Sequence, residues 1–436
     1  MIKKLLVLWL VACSSLLYAQ IIKTDVLVIG GNASGVAAGI QSARSKVKTV
    51  LVAENIHFSE PFQGNPRLHI RLSQYVNDSS GLWAEYWKHL VDYYKIPAGA
   101  DTTLNPALWS NAQRCDSILK KITDTVKKLS VYLKTTFTSI KKDGDGWNVR
   151  FMQDGKVIDI KARVVVDATQ TSSVAKKVGV KISEGGELVD PKSPAKTFRT
   201  AIACAENRRN FGRHSNTYWD LLLSNIFSTD VDNLLVTENS LSSGEDFEES
   251  AFKFVAGQGV GAAAAYCAFY KTTTKNLNVR KIQGELLDFK AYLVPFADIN
   301  PTDGDWRAIQ QIGATGLLKG QTTATGFYFL PEAFVSTSEI EPVLTEIYTR
   351  AFLWFRKEKP GEKFTVANTL SLVSDYTLTD PALLKATIQK AWKTQYKFTL
   401  DFDLKRPVTR REFAVLINKY LNPFARTIDL DGRFLN

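Results

Sequence analysis

The sequence predicts an α/β fold, an open sheet with a dinucleotide-type turn, joined to a C-terminal all-α region built from repeats. Three observations carry this. The stretch "TDVLVIGGNASGVAAGI", residues 24–40, sets a glycine-rich turn between an apolar strand and an alanine-rich helix. Four β-type runs with glycine-containing turns follow between residues 131 and 169. Two segments of the last third align at a constant offset of 73 residues.

The chain has 436 residues, enough for two or three domains with ample core. It is 45% apolar and 23% charged, without low-complexity tracts, as in an ordinary globular protein. The formal charge of +11 is spread in short Lys/Arg clusters rather than one block. It suits acidic polymers or anionic surfaces as well as solvated helix faces. No nucleic-acid-binding motif accompanies it, so a nucleic-acid partner is not expected.

Residues 1–19 read as a signal peptide. "MIKK" is the basic start, residues 5–17 are the apolar run, and "LYAQ" offers cleavage after Ala19. Export in soluble form, periplasmic or secreted, is the expectation. The alternative is a lipoprotein, because "LVAC" would allow lipid attachment at Cys13. No later segment is long and apolar enough to be a transmembrane span. Beyond the signal, Cys115, Cys204 and Cys267 are odd in number and widely spaced, which argues against a disulfide framework. Two of them lie in apolar runs, as inert buried thiols do. No spacing suggests a metal.

The first mature element alternates into a buried strand ending at Ile29. Glycines follow, then a helix to Arg44, then "KTVLVAE" as a second strand: one βαβ unit with a right-handed crossover. Glu54 closes that strand 24 residues after Gly30. A carboxylate there takes the ribose hydroxyls of an adenosine half. A helical stretch over residues 107–129 precedes the runs "VYLKTTFTSI", "GWNVRFMQ", "KVIDIKA" and "RVVVDAT". "KKDGDG" and "QDGK" supply hairpin turns. "NLLVTEN" reads as a further buried strand, and "VAGQGVGAAAAYCAFY" as a helix that opens on its glycines.

In this order the pieces resemble the FAD-dependent oxidoreductase family, with the FAD-binding two-dinucleotide-binding-domain flavoprotein fold, a Rossmann-like unit with a β-meander. They are similar in particular to its exported bacterial branch labelled xanthan lyase-like. The resemblance rests on "DVLVIGGNASGVAAGIQSAR", "VLVAE", "VYLKTTFTSI", "ARVVVDAT", "FRTAIAC", "DNLLVTENSLS" and "AGQGVGAAAA", and covers residues 24–290. It implies FAD as cofactor. Gly30, Gly31, Asn32, Ser34 and Gly35 would form the diphosphate turn at a helix N-terminus, with Glu54 on the adenosine ribose. Backbone at Phe137 would face the adenine, and Ala168 and Thr169 would border the cofactor. Glu238 and Asn239 would lie by the ribityl chain. Gly257, Gln258, Gly259 and Gly261 would open a helix aimed at the flavin pyrimidine.

The implied layout is a flavin-binding domain at residues 20–180 and 231–290, with a short substrate or cap segment at 181–230. The chain departs from the family in places. Asn32 stands where the middle glycine belongs; its left-handed tolerance and polar head suit it to replace one. "NIHFSEPFQGNPRLHIRL" replaces a glycine-rich loop, Gln170–Thr171–Ser172 follow "VVVDAT", and Phe252–Lys253 stand where an Arg is common. Catalytic residues are not assignable. His57, His69 and Arg71 lie in the loop expected near the flavin, and Arg208, Arg209, Arg213 and His214 form a basic cluster in the substrate segment.

Residues 301–436 form the repeat region. "FLPEAFVSTSEIEPVLTEIY" aligns with "FDLKRPVTRREFAVLINKY", pairing Ser336 with Thr409 and Glu339 with Glu412 in two capping boxes. "DWRAIQQIGATGLLKG" ahead of the first is an amphipathic helix with a glycine stop. These units resemble S-layer homology modules, which implies cell-envelope glycan as a partner. The expected function is hydride or electron transfer at a flavin, on a small-molecule or carbohydrate substrate. The rival reading is a catalytically degenerate flavoprotein scaffold whose repeats bind envelope glycan.

Overall fold

The structure is a computed structural model that describes residues 20–58, 70–71, 80–93, 95, 103–104, 112–180, 198–206, 218–228, 230–237, 247–323 and 326–435. Expectations on the signal segment, His69, Arg208, Arg209, Arg213, His214, Glu238 and Asn239 lie outside these.

A seven-stranded sheet organises the first half. Its strands are β1 (Gln20–Ile29), β2 (Thr49–Val52), β3 (Leu129–Tyr132), β4 (Thr135–Asp143), β5 (Gly146–Gln153), β6 (Lys156–Asp167) and, further along, β9 (Leu234–Val236). The order is β3-β2-β1-β6-β5-β4, with β9 also on β6. β3, β2, β1, β6 and β9 pair in parallel, whereas β4, β5 and β6 form an antiparallel meander. Successive β1 residues enter different cores. Val26 and Val28 face the helical layer, and Leu27 and Ile29 face the meander side. Burial on both faces is why this strand reads as a continuous apolar run.

Three of the four β-type runs divide differently from expectation. "VYLKTTFTSI" is broken at Lys134, whose φ of 52° turns the chain from the parallel edge into the meander. "KVIDIKA" and "RVVVDAT" are a single twelve-residue strand, β6. Its first half pairs with β5 and its last three residues with β9, while β1 runs along it from Gln20↔Ile158 to Ile29↔Asp167. The "QDGK" turn is as expected: Asp154 and Gly155 both have positive φ, the hairpin conformation that matches strand twist.

The crossover helix α1 is Ala33–Arg44, and every residue from 33 to 43 is buried. Over it lies α5, Phe247–Phe269; α2 (Gly81–Tyr93) packs on α5 and on α3 (Ala112–Asp124), α6 (Val279–Asp288) packs on α5, and α4 (Ser173–Lys177) lies against β4 and β6. α1 and α5 touch backbone to backbone. A methyl group at Gly257 would run into the Ser34 carbonyl, and one at Gly261 would lie 2.5 Å from the Ala38 carbonyl oxygen. Their four-residue spacing puts both on one stripe of α5. Buried polar ties close the seam. Ser42 donates to the Gly261 carbonyl at 2.9 Å, and Gln258 donates to Gln41 at 2.9 Å while accepting from the Leu82 amide at 3.0 Å.

The C-terminal region holds six helices: α7 (Trp306–Thr315), α8 (Thr337–Ile347), α9 (Ala351–Glu358), α10 (Val366–Thr377), α11 (Pro381–Thr394) and α12 (Arg410–Tyr420). They form three helix–loop–capped-helix units, not two. Trp306, Trp354 and Trp392 sit buried in the leading helices. Ser336, Thr365 and Thr409 cap the following ones. The caps meet in a closed ring of backbone bonds: Val335 N–H to Val408 O at 3.1 Å, Val408 to Phe364 at 2.9 Å, and Phe364 to Val335 at 2.9 Å. The middle unit escapes the alignment because its cap partner is Asn368 rather than Glu, in the stretch "FTVAN". Only the boxes at Thr365 and Thr409 close in both directions. Glu339 instead accepts from the Lys319 amide and from Arg410.

These helices share one apolar cluster with the sheet layer. Arg199 fastens the two. It is 1% exposed and donates to the Thr315 and Gly432 carbonyls and, with both Nη groups, to the Glu346 carboxylate at 2.7 Å. Among the described residues no helix is long and apolar enough to cross a membrane.

Gly257→Ala should destabilise the protein by about 1–3 kcal/mol, because packed backbone must separate. Gly284→Ala, with open space around its site, should be neutral or stabilising. Denaturant unfolding of both variants checks the contrast.

Candidate cofactor site

The site begins where β1 enters α1. Gly30 donates to the Val52 carbonyl at 2.9 Å and holds φ 131°, open only to glycine. A methyl there would strike the Ala168 carbonyl, so the end of β6 lies directly against the turn. Gly30, Gly31 and Asn32 are partly exposed between buried neighbours, which leaves their backbone as an open lip at the N-terminus of α1.

Asn32 is the N-cap of that helix, with extended angles of −79° and 179° rather than the left-handed ones expected from its type. Its Oδ1 accepts from the Gly35 amide at 2.8 Å and from Ser34 Oγ at 3.0 Å. Its Nδ2 donates to the Ala168 carbonyl at 2.8 Å. The side chain thus caps α1 and stitches the turn to β6. A helix N-terminus gathers partial positive charge, so the lip favours an anionic group such as a diphosphate. Ser34 also meets Thr237 Oγ1 at 3.0 Å, bringing the chain just past β9 to the same place.

Glu54 is exposed beyond β2. The turn into β4 holds its neighbours, through Thr135 N–H to Ala53 O at 3.0 Å and Lys134 N–H to Asn55 O at 3.2 Å. Phe137, on β4, packs its ring against Phe151 at 6.2 Å, next to a strand irregularity between Phe137 and Ser139. His57 Nδ1 lies 2.8 Å from Asp116 of α3, which also accepts from the Phe58 amide. The loop after Glu54 is thereby tied down at its start.

Gly30, Gly31, Asn32, Ser34, Gly35, Ala168 and Thr169 thus come together, with Glu54 just beyond the end of the neighbouring strand β2. The expectation for Gly257, Gln258, Gly259 and Gly261 is corrected. They lie in the middle of α5, not at its start, because the helix already begins at Phe247. Gly257 and Gly261 press on α1, Gly259 on the Ile202 carbonyl, and Gln258 is a fully buried polar hub. Their proximity to the site runs through the Ser34 backbone.

Sequence reasoning passed over two carboxylates. Asp167, fully buried at the end of β6, accepts from Thr169 N and Oγ1 at 3.0 and 2.6 Å and from the Ala175 amide at 2.8 Å. It fixes the chain leaving Ala168 and holds the start of α4. Burial pushes its carboxyl up, and these donors pull it back. An acidic residue closing the run "VVVD" is the signal that could have found it. Asp220 lies on β8 (Tyr218–Leu222), opposite Cys204 of β7 (Ala201–Glu206). Its Oδ2 is buried without a hydrogen-bond partner, and burial raises its pKa to about 7. Burial likewise pushes the Cys204 thiol well up and Cys267 up to about 12, so both are inert. Cys115 is also buried, and no metal-holding group of His, Cys, Asp or Glu occurs among the described residues.

Residues 25–202 match the family described as FAD dependent oxidoreductase. This segment is a flavoprotein unit, and its cofactor is FAD. The lip at Gly30–Asn32, backed by Ala168 and flanked by Glu54, has the chemistry that the adenosine diphosphate half requires. No curated protein matches the chain. Among solved structures it is similar to a flavoprotein/dehydrogenase from Cytophaga hutchinsonii, at 15% identity over 57% of this chain and 79% of that one, with a TM-score of 0.35. It is similar to a geranylgeranyl bacteriochlorophyll reductase-like protein from Thermoplasma acidophilum, at 13% identity over 77% and 99%, with a TM-score of 0.31. A p-nitrophenol 4-monooxygenase from Pseudomonas putida gives 12% identity over 37% of this chain, with a TM-score of 0.25. The chain spans 43% of that monooxygenase's length.

Asp220 makes a test of the burial argument. A folded pKa of about 7 exceeds that of an unfolded aspartate, so stability is full at low pH and declines as pH rises through about 7. Asp220→Asn lacks this loss. Its thermal stability relative to the wild type should therefore grow between about pH 4 and pH 8, read by unfolding at both.

Proposed function

We propose that the protein is an exported FAD-dependent oxidoreductase that moves hydride or electrons between a small substrate and its flavin. The observation that carries this is the open backbone lip of Gly30, Gly31 and Asn32 at the start of α1, with exposed Glu54 just past the end of β2. Bound FAD supplies the electron-accepting ring. The chain's own residues anchor it: the α1 N-terminus faces the diphosphate, Glu54 takes the ribose, and Asp167 holds Ala168 and Thr169 against the turn. A carbohydrate or other envelope-associated molecule is the proposed substrate class, in keeping with the signal-like start and the similarity to the xanthan lyase-like branch. The C-terminal capped units, two of which resemble S-layer homology modules in sequence, would dock the protein on envelope glycan. Arg410 would not be their glycan contact, since it is buried and paired with Glu339 at 2.6 Å. Lipid attachment at Cys13 is the alternative to soluble export.

The protein folded with FAD should retain it and show a flavin absorbance spectrum; a colourless protein without a thermal shift on adding FAD would overturn the reading. Glu54→Ala should weaken FAD by about 1–3 kcal/mol, through loss of charge-assisted hydrogen bonds to ribose.

A degenerate scaffold is the second reading, and one observation favours it: the Asn32 carboxamide sits on the Gly35 amide at the helix start. Asn32→Gly separates the two. Glycine is nearly as good an N-cap, and the lost bond to the Ala168 carbonyl adds to the cost, so the fold should lose about 1–2 kcal/mol. In a working site FAD affinity stays within about tenfold. A much larger gain in an FAD titration would mean that Asn32 obstructs the site, and the scaffold reading would replace the enzyme.

A further inference from the structure

The chain that leaves Glu54 turns back onto the cofactor turn. A methyl group at Gly31 would lie 3.7 Å from the Phe58 ring, so this buried ring borders the lip. His57 is the residue before it, about 3.8 Å away along the chain, and its side chain is 55% exposed. Asp116 of α3 fixes the imidazole. One carboxylate oxygen accepts from the Phe58 amide at 2.8 Å, and the other lies 2.8 Å from His57 Nδ1. An ionised carboxylate only accepts, so Nδ1 carries the proton of that bond. Nε2 is then the outward group, and Asp116 is the ring's one hydrogen-bond partner among the described residues.

We propose that His57 is a proton-gated cation of the cofactor site: protonated Nε2 donates to the FAD diphosphate, so FAD binding takes up a proton. This role rests on the lip being the diphosphate site. The described residues of the lip offer neutral groups only: backbone amides, the Asn32 carboxamide and the hydroxyls of Ser34 and Thr169. Two phosphate charges would meet the α1 N-terminus, whose partial charge is about half of one. An imidazolium between Asp116 and a phosphate supplies a matching cation with both N–H groups satisfied. Neutral His57 would turn a bare lone pair toward the phosphate oxygens, which repel it. The other charged groups on the surrounding elements are Arg114, Lys120, Lys121 and Asp124 of α3, Glu54 after β2, and Lys134 at the turn into β4. Lys120 is taken by Asp124 at 2.8 Å. Among all these, histidine alone is the residue type that changes charge between about pH 5 and pH 8.

Titration calorimetry on the protein freed of flavin tests this, in buffers of different ionisation heat at about pH 7. The ligands are FAD, ADP-ribose and adenosine. FAD and ADP-ribose are diphosphate diesters, with no proton of their own to exchange near neutrality. Both should take up part of a proton on binding, and adenosine none. FAD affinity should fall about tenfold from about pH 6 to about pH 8, as the charged form of the ring is lost. His57→Gln keeps a donor for Asp116 but takes no charge. It should bind FAD without proton uptake, about tenfold more weakly than the wild type near pH 6 and equally near pH 8. Unchanged thermal unfolding confirms its fold. Wild-type FAD binding without proton uptake, uptake that persists in His57→Gln, or equal uptake with adenosine would each overturn the proposal and leave the FAD reading standing. Failure to bind FAD would overturn both.

Discussion

The contact on which the site depends is the backbone-to-backbone seam between α1 and α5. Because Gly257 and Gly261 carry no side chains, α5 settles onto Ser34 and Ala38, at the helix that starts the cofactor turn. That helix is buried along nearly its whole length, so the angle at which it meets the sheet is set by this seam and by β1. Any added atom at the seam would shift the first turn of α1, and with it the lip formed by Gly30, Gly31 and Asn32. The polar residues in the seam are fully paired, as burial in a dry layer requires. Ser42 and Gln258 spend their hydrogen bonds on holding two helices and the start of α2 together.

From the seam the same logic extends outward. The Ile202 carbonyl of β7 lies against Gly259, and the segment before β7 is held by Gln283, whose amide donates to the carbonyls of Phe198, Arg199 and Ala201. Arg199 then reaches into the C-terminal helices. Its charge is matched by Glu346, and Nε and Nη1 also donate to carbonyls, the kind of pairing a buried guanidinium needs. Arg280 nearby is less well served. It keeps Gln283 and the face of Phe424, while Nε and Nη2 have no hydrogen-bond partner. A weak second arginine beside a strong one fits a joint whose specificity rests on Arg199.

The C-terminal units show how a repeat can be maintained by geometry while its sequence drifts. Ser336, Thr365 and Thr409 do the same local job of meeting the first amides of a helix. Their partners differ: Glu412 and Asn368 reach back to close the box, whereas Glu339 is drawn off by Arg410. What unites the units is the ring of backbone bonds among Val335, Phe364 and Val408, which is indifferent to side chains. Tryptophan recurs in each leading helix because a large buried ring fills the space between paired helices.

By itself the sequence determined the features governed by local physics. The β1–α1–β2 unit, the end of α1 at Arg44, the Asp154–Gly155 hairpin and the cap at Thr409 follow from periodicity, turn chemistry and side-chain reach within a few residues. The choice of Gly30 was also legible, since a β-to-α turn of this kind needs its backbone freedom. Tertiary structure decided the rest. Whether residues 156–167 form one strand or two depends on β1 running alongside residues 158–167, across the point where the two runs meet. Whether the glycines of "GQGVG" open a helix or seat one depends on where α5 starts and what it meets, and α1 lies more than 200 residues earlier. Asn32 shows the division in one residue. Its bond from the Gly35 amide, three residues on, is a local cap, but only the arrival of Ala168 beside its carboxamide made it a stitch, because hydrogen bonds need both partners in place.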